Sequence, residues 1–189
     1  MIIKLIEMKN DLNNKNTYHQ IFNDAFPIEE RWNFDMILQN KNESSYKFYS
    51  ILDDDKPIGL TMIWSFEEFY YGEYLAIDKN LRGKNYGSEV LTKIFDMHND
   101  KLIVIEVEPY DLNDIAKRRI DWYKRFGLIL SDYDYDMPCI KDGKKDTMKM
   151  QIMTNRKIKS KDEYNNIIKI LYNKVYSPRL DNINNWKEI

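Results

Sequence analysis

Apolar positions along this chain keep two rhythms, and the switches between them mark out its elements. IIKLIEM, near the start, is a short apolar run that fits a first strand. In NTYHQIFNDAFP, Tyr18, Ile21, Phe22 and Ala25 recur at helical spacing until Pro27 closes the segment. EERWNFDMILQNK predicts a second, shorter helix with Trp32, Met36 and Ile37 on one side. YKFYSILDDDKPIGLTMIWSF has the form of a β-hairpin turning at Asp53 to Lys56, and FYYGEYLAI of a fourth strand. GSEVLTKIFDMH puts Val90, Leu91, Ile94, Phe95 and Met97 on a helical stripe, and KLIVIEVEP is an almost unbroken apolar strand suited to a central position. NDIAKRRIDWYKRFG predicts a helix burying Ile115, Ala116, Ile120, Tyr123 and Phe126, with Gly127 as its left-handed terminator. Two more strands are expected at Leu128–Tyr135 and Asp146–Met153 around the turn KDGKK, then a helix at Asp162–Tyr176 with Tyr164, Ile167, Ile168 and Leu171 inward. The polar end SPRLDNINNWKEI is expected to be loosely ordered. The order βααβββαβαββα implies an α/β protein: a mixed, mostly antiparallel sheet of about seven strands flanked by helices, with an added C-terminal helix.

Composition narrows the function classes. At 189 residues, 43% hydrophobic and 32% charged, the chain has ordinary globular usage and the length of one domain. A formal charge of −2 without a basic block argues against nucleic acid as a partner. The single Cys139 excludes an intrachain disulfide, and with only His19 and His98 available no metal centre is expected. As a nucleophile Cys139 is disfavoured: it stands beside Pro138 with neither histidine near it in sequence, as an inert buried thiol would. The first residues lack a signal-peptide pattern, and no run approaches the ~20 apolar residues of a membrane span, so a soluble, cytoplasmic protein without a membrane partner is expected. The fourteen tyrosines supply amphipathic surface for a core or a ligand groove.

Between the fourth strand and the next helix stands YLAIDKNLRGKNYGSEVL. A strand-to-helix loop turns free backbone N–H groups and the positive end of the helix dipole toward whatever sits there. Gly83 and Gly87 allow close approach, and Arg82 and Lys84 add cations, so the loop is a candidate phosphate cradle. It is neither a Walker A loop nor a dinucleotide fingerprint, because the spacing differs from both. A tight turn with solvated charges explains the same composition.

The whole stretch resembles the acetyl-coenzyme-A-binding motif of the GNAT superfamily of N-acetyltransferases, Arg/Gln-x-x-Gly-x-Gly/Ala after an apolar-Ala-apolar-Asp strand end. Arg82 and Gly87 fill the first and last places, and Asn85 replaces the middle glycine. Asparagine tolerates a left-handed backbone better than most residues. WYKRFGL is similar to the later family helix ending in Tyr-x-x-x-Gly-Phe, here Tyr123, Gly127 and Leu128. FPIEER and YDMPCIKDGKKDTMKMQIM resemble the acceptor-side helix and C-terminal strands of one bacterial branch. The resemblance implies one acetyltransferase domain over residues 1–155 and a helical extension over 156–189. Two positions depart from the family pattern: Ala116 stands where an asparagine is common, and Arg119 where a small residue is. Asn113 is a candidate cap for that helix. The pair Arg118 and Arg119 reaches a phosphate or the substrate, or is a solvated helix face.

By that resemblance the cosubstrate is acetyl-coenzyme A, bound by Leu75, Ala76, Ile77, Arg82, Gly83, Lys84, Asn85, Tyr86, Gly87 and Ser88. The acceptor is a primary amine on a small molecule or a peptide. An alkylammonium with pKa ~10 must lose a proton before attack, and a strand carboxylate can take it. Glu73 is the first choice, four residues before Ile77 and so expected on the same face; Glu106 and Glu108 are the runners-up. The family places an oxyanion-stabilising backbone N–H at Ile77 and a thiolate-protonating tyrosine at Tyr123. Glu29, Glu30 and Arg31 stand on the expected acceptor side, as substrate contacts or helix caps. A coenzyme-binding module without catalysis, and a generic phosphate-binding domain, are the alternatives. The sequence leaves the oligomeric state open.

Overall fold

The computed structural model describes residues 2–28, 30–38, 45–141 and 144–181. The chain divides into two compact units, Met1–Ile103 and Val104–Ile189.

The first unit contains β1 (Ile3–Glu7), α1 (Lys15–Ala25), α2 (Phe34–Leu38), β2 (Tyr46–Asp53), β3 (Lys56–Ser65), β4 (Phe69–Ile77) and α3 (Tyr86–Met97). Its strands run antiparallel in the order β1-β2-β3-β4. The β2–β3 hairpin turns where expected, with Asp54 in the left-handed region at φ 54°. Helices cover both sheet faces. On one, Val90 and Ile94 of α3 pack with Ile51, Ile58 and Ile63, flanked by Leu75 and Ile77. On the other, Tyr74 meets Phe22 and Phe26 edge-on at 5.0 and 4.8 Å, and Phe34 meets Phe48 at 5.3 Å. Neighbours Tyr74 and Leu75 thus serve opposite faces, as strand alternation requires. Gly59 permits a close strand approach: a Cβ there would lie 2.3 Å from the Ala76 carbonyl oxygen.

Three expectations need adjusting in this unit. The second helix is shorter than EERWNFDMILQNK suggested, because the Asn33 side chain accepts from the Met36 N–H at 3.0 Å and starts α2 at Phe34. Trp32 is buried just ahead of it, and residues 39–44 lie outside those described. At the far end of α3, Met97 is 45% exposed rather than inward.

The second unit takes up β5 (Leu102–Val107) from Val104 onward, followed by α4 (Asp114–Lys124), β6 (Ile129–Lys141), β7 (Lys144–Thr154), α5 (Lys161–Leu171), a π turn (Tyr172–Tyr176) and α6 (Ser177–Asp181). Its strand order is β5-β7-β6, antiparallel at both pairings. The β6–β7 pair runs further than expected, to Lys141 opposite Lys144. Asn113 caps α4, accepting from the N–H groups of Ile115 and Ala116 at 2.9 Å each. The helix closes in a Schellman arrangement: Leu128 N–H bonds to Tyr123 O and Gly127 N–H to Lys124 O, with Gly127 at φ 83°. Ala116 and Ile120 form the buried stripe, while Ile115 is 59% exposed because the cap turns that first-turn position outward.

The C-terminal segment is braced by bonds within itself and tied to the rest of its unit by two tyrosine hydroxyls. Arg156 pairs with Glu163 at 2.6 Å, Ser160 caps α5, and the hydroxyls of Tyr164 and Tyr176 donate to Tyr133 O and Glu106 Oε2. The expectation of a loose end is corrected over 177–181, which form α6 with Arg179 and Leu180 buried; residues 182–189 lie outside those described. Among the described residues, no helix is long and apolar enough to cross a membrane.

Candidate functional site

The loop after β4 is built by backbone conformation more than by side chains. Asp78 accepts from the Asn80 N–H at 2.8 Å and starts a single 3-10 turn over Lys79–Leu81. Arg82 is extended and exposed, Gly83 turns left-handed at φ 79°, and Lys84 is exposed. A Cβ on Gly83 would meet nothing within 4 Å, so its requirement there is the φ angle and not crowding. Asn85 is left-handed at φ 66° and begins α3, its carbonyl accepting from Ser88 and Glu89 N–H groups. The asparagine thus supplies the backbone conformation for which the motif normally carries glycine. Its side chain does not cap the helix; Nδ2 donates to Glu89 Oε1 at 3.3 Å. Gly87 and Ser88, half-buried, form the first turn behind it.

Two carboxylates brace this loop. The Tyr86 hydroxyl donates to Asp53 Oδ2 at 2.7 Å, while Asp53 Oδ1 accepts from the Ile2 N–H at 2.8 Å. That pairing holds the Asp53 carboxyl below its ordinary range and raises the Tyr86 hydroxyl. From α1, Asp24 pairs with Lys79 at 3.2 Å. A hydrogen bond from Gln20, then the one from Lys79, lowers the Asp24 carboxyl, with the Arg82 cation adding to the effect. Asp24 and Asp53 lie 58 and 29 residues before Arg82 in the sequence, and nothing in local spacing signalled either contact.

Glu73 sits at an irregularity in the ladder. Met62 pairs with Tyr74 and Ile63 with Gly72, leaving Glu73 as the extra residue of a β-bulge. Its Oε2 accepts from the Trp64 indole N–H at 2.8 Å. Trp64 pairs with Tyr46 and Tyr71 across the strands and shares their sheet face, the face of Tyr74 and α1. Alternation counted back from Ile77 put Glu73 with Leu75 and Ile77 on the α3 face. The bulge breaks that count and re-aims the carboxylate. Trp64 itself was missed in the sequence because its role depends on that bulge.

Neighbouring segments place the other expected residues of this unit. Leu75 and Ile77 pack toward α3, and Ala76 is buried on the opposite face. The Glu30 carbonyl accepts from the Tyr74 hydroxyl at 2.5 Å, and Arg31 Nη1 donates to Asn23 Oδ1. Neither caps α2. Glu29 lies outside the described residues.

In the second unit, Tyr123 sits near the end of α4 with Trp122 at 4.8 Å ring to ring. Burial raises its hydroxyl above the ordinary tyrosine value, opposed by the Arg119 cation, so it stays protonated at neutral pH. Arg119 pairs with Glu108 at 2.9 Å, and Arg118 Nε donates to the Asp114 carbonyl. Glu106 accepts from Tyr176 at 2.6 Å. Cys139 is buried in β6 opposite Asp146. Among the described residues, no group of three His, Cys, Asp or Glu side chains is placed to hold a metal.

With this geometry in hand, comparison with known proteins assigns the family. The acetyltransferase (GNAT) family model matches residues 13–128, more than half of the chain. A Bacillus subtilis protein named as an acetyltransferase, YjbC, is 26% identical over 112 residues, covering 57% of this chain and 54% of that protein. The match thus spans about half the length of that relative. A GNAT-family structure from Bacteroides thetaiotaomicron superposes with a TM-score of 0.82 at 30% identity, covering 93% of this chain and 98% of that one. A Bacillus subtilis acetyltransferase in complex with coenzyme A shares the fold with a TM-score of 0.53 at 13% identity, over 82% of this chain and 98% of its own. The matched stretch runs from α1 through the 82–88 loop to the end of α4, and by it the chain belongs to the acetyltransferase (GNAT) family.

Proposed function

We propose that the protein transfers the acetyl group of acetyl-coenzyme A directly to a primary amine of a small molecule or peptide. The observation that carries this reading is the backbone of the loop. Gly83 at φ 79° and Asn85 at φ 66° give two left-handed residues ahead of α3, with Arg82 and Lys84 exposed beside them. Such a turn aims successive N–H groups and a helix N-terminus at an anion, which suits a pyrophosphate. Tyr86 takes part through its backbone, since its hydroxyl is engaged by Asp53.

The chain's own groups divide the chemistry as follows. Glu73 accepts the proton of the acceptor ammonium, directly or through one water, freeing the nitrogen lone pair. The Ile77 N–H donates to the thioester oxygen as charge develops there; such donors are worth about 3 kcal/mol. Tyr123 gives its proton to the departing thiolate and is reprotonated, through solvent, by the second proton that the new amide nitrogen releases. Glu30 and Arg31 border the acceptor in this reading.

Calorimetric titration with coenzyme A, followed by incubation of acetyl-coenzyme A with a pooled amine panel and measurement of free thiol, tests the proposal. Binding with amine-dependent thiol release is the expected result. Binding without release would favour a coenzyme-binding module that has lost catalysis, a reading to which the Arg119–Glu108 pair and Ala116 give some substance. No binding up to millimolar coenzyme would overturn both.

A further inference from the structure

We propose that Trp64 is a positioning residue for Glu73, its indole N–H fixing the rotamer of the carboxylate. The indole is 2% exposed, so its donor has little access to water and needs a protein acceptor. Glu73 Oε2 supplies that acceptor at 2.8 Å. The ring is itself immobilised: Tyr46 lies 4.5 Å away centroid to centroid and Phe66 stacks at 5.8 Å, nearly parallel. A rigid aromatic donor therefore meets a flexible glutamate, and the direction of the bond is set by the tryptophan.

The bulge makes the bond possible. Trp64 is directly opposite Tyr71, two residues short of Glu73, which makes the two a diagonal cross-strand pair within reach of long side chains. With the extra residue in β4, the carboxylate reaches the face where Trp64 lies. A proton acceptor works only when held near its productive geometry, and a rigid donor on one carboxylate oxygen narrows the rotamers a glutamate can use. The bond stands independently of any activity; its catalytic consequence rests on Glu73 being the base.

Two measurements on the full chain test it. In the 15N-labelled protein, the Trp64 indole N–H resonance, assigned by triple-resonance methods, should be slow to exchange and should be displaced by Glu73→Gln. Kinetically, Trp64→Phe should lower kcat about 10-fold with the KM for acetyl-coenzyme A unchanged, using an amine active in the panel. The same substitution should cost less than about 2-fold in the Glu73→Gln background, because residues acting through one contact are not additive. Equal costs in both backgrounds, the outcome of a merely structural tryptophan, would overturn the positioning role. An indole resonance indifferent to Glu73→Gln would overturn the pairing itself, and that arm needs no change at Trp64. Full kcat in Glu73→Gln would instead sink the base assignment.

Discussion

Strands β4 and β5 both display glutamates, and their partners differ in kind. On β4, one partner of Glu73 is the buried Trp64 indole N–H, at a bulge. Beyond β5, Glu108 is met by the Arg119 guanidinium at 2.9 Å, and within β5 Glu106 is met by the Tyr176 hydroxyl at 2.6 Å. An arginine on a carboxylate competes with any ammonium that approaches, whereas an indole N–H is itself an uncharged donor that orients the group. A tyrosine hydroxyl from the C-terminal segment makes Glu106 part of that segment's anchorage. Proximity to a strand end therefore says less about a carboxylate's use than the charge and rigidity of what holds it.

Substitutions can break this contrast, the largest effect first. Glu73→Gln should lower kcat at least about 100-fold in the thiol-release assay, while Glu108→Gln costs less than about 3-fold; similar losses at both positions would erase the distinction. Tyr123→Phe should lower kcat by roughly 10- to 100-fold and leave coenzyme affinity measured by calorimetry unchanged; an unchanged kcat would remove its acid role. Asn85→Gly should keep or tighten coenzyme affinity, and Asn85→Ala should weaken it several-fold, since a Cβ-bearing residue without a local polar group costs about 1 kcal/mol in the left-handed region. The smallest effect concerns the second unit's own arginine-held carboxylate. The hydrogen bond from Arg156 lowers the Glu163 carboxyl from 4.5, so that pair's stabilisation is present above that value and is lost as pH falls through the depressed one. Arg156→Gln should flatten that acid slope in thermal melts by under about 1 kcal/mol, as expected for partly exposed partners.

Much of the element order was legible in the sequence because each stripe or alternating run ended at a residue with a local reason to end it. Gly127 closes α4 and Asn113 opens it, and both were readable as caps. The loop was legible too, down to the left-handed Asn85. The direction of Glu73 was not. The run Phe69 to Leu75 is aromatic or apolar at most positions on both faces, so alternation within it carries no marker of where the ladder gains a residue. Ile115 was misread for the opposite reason: it is apolar but falls one position off the stripe of Ala116 and Ile120. Contacts such as Asp53 to Tyr86, which join a strand end to the start of a helix across 33 residues, leave no local trace.

The π turn at Tyr172–Tyr176 gives the C-terminal segment an accommodated insertion. A helix of uniform α pitch advances about 100° per residue, so one extra residue would rotate everything beyond it by that amount. The wider turn absorbs that residue, so Val175, Tyr176, Arg179 and Leu180 stay inward after Leu171. Removing Asn173 would restore a continuous α-helix and leave Arg179 inward, whereas uniform α pitch with every residue kept would swing its guanidinium out toward water.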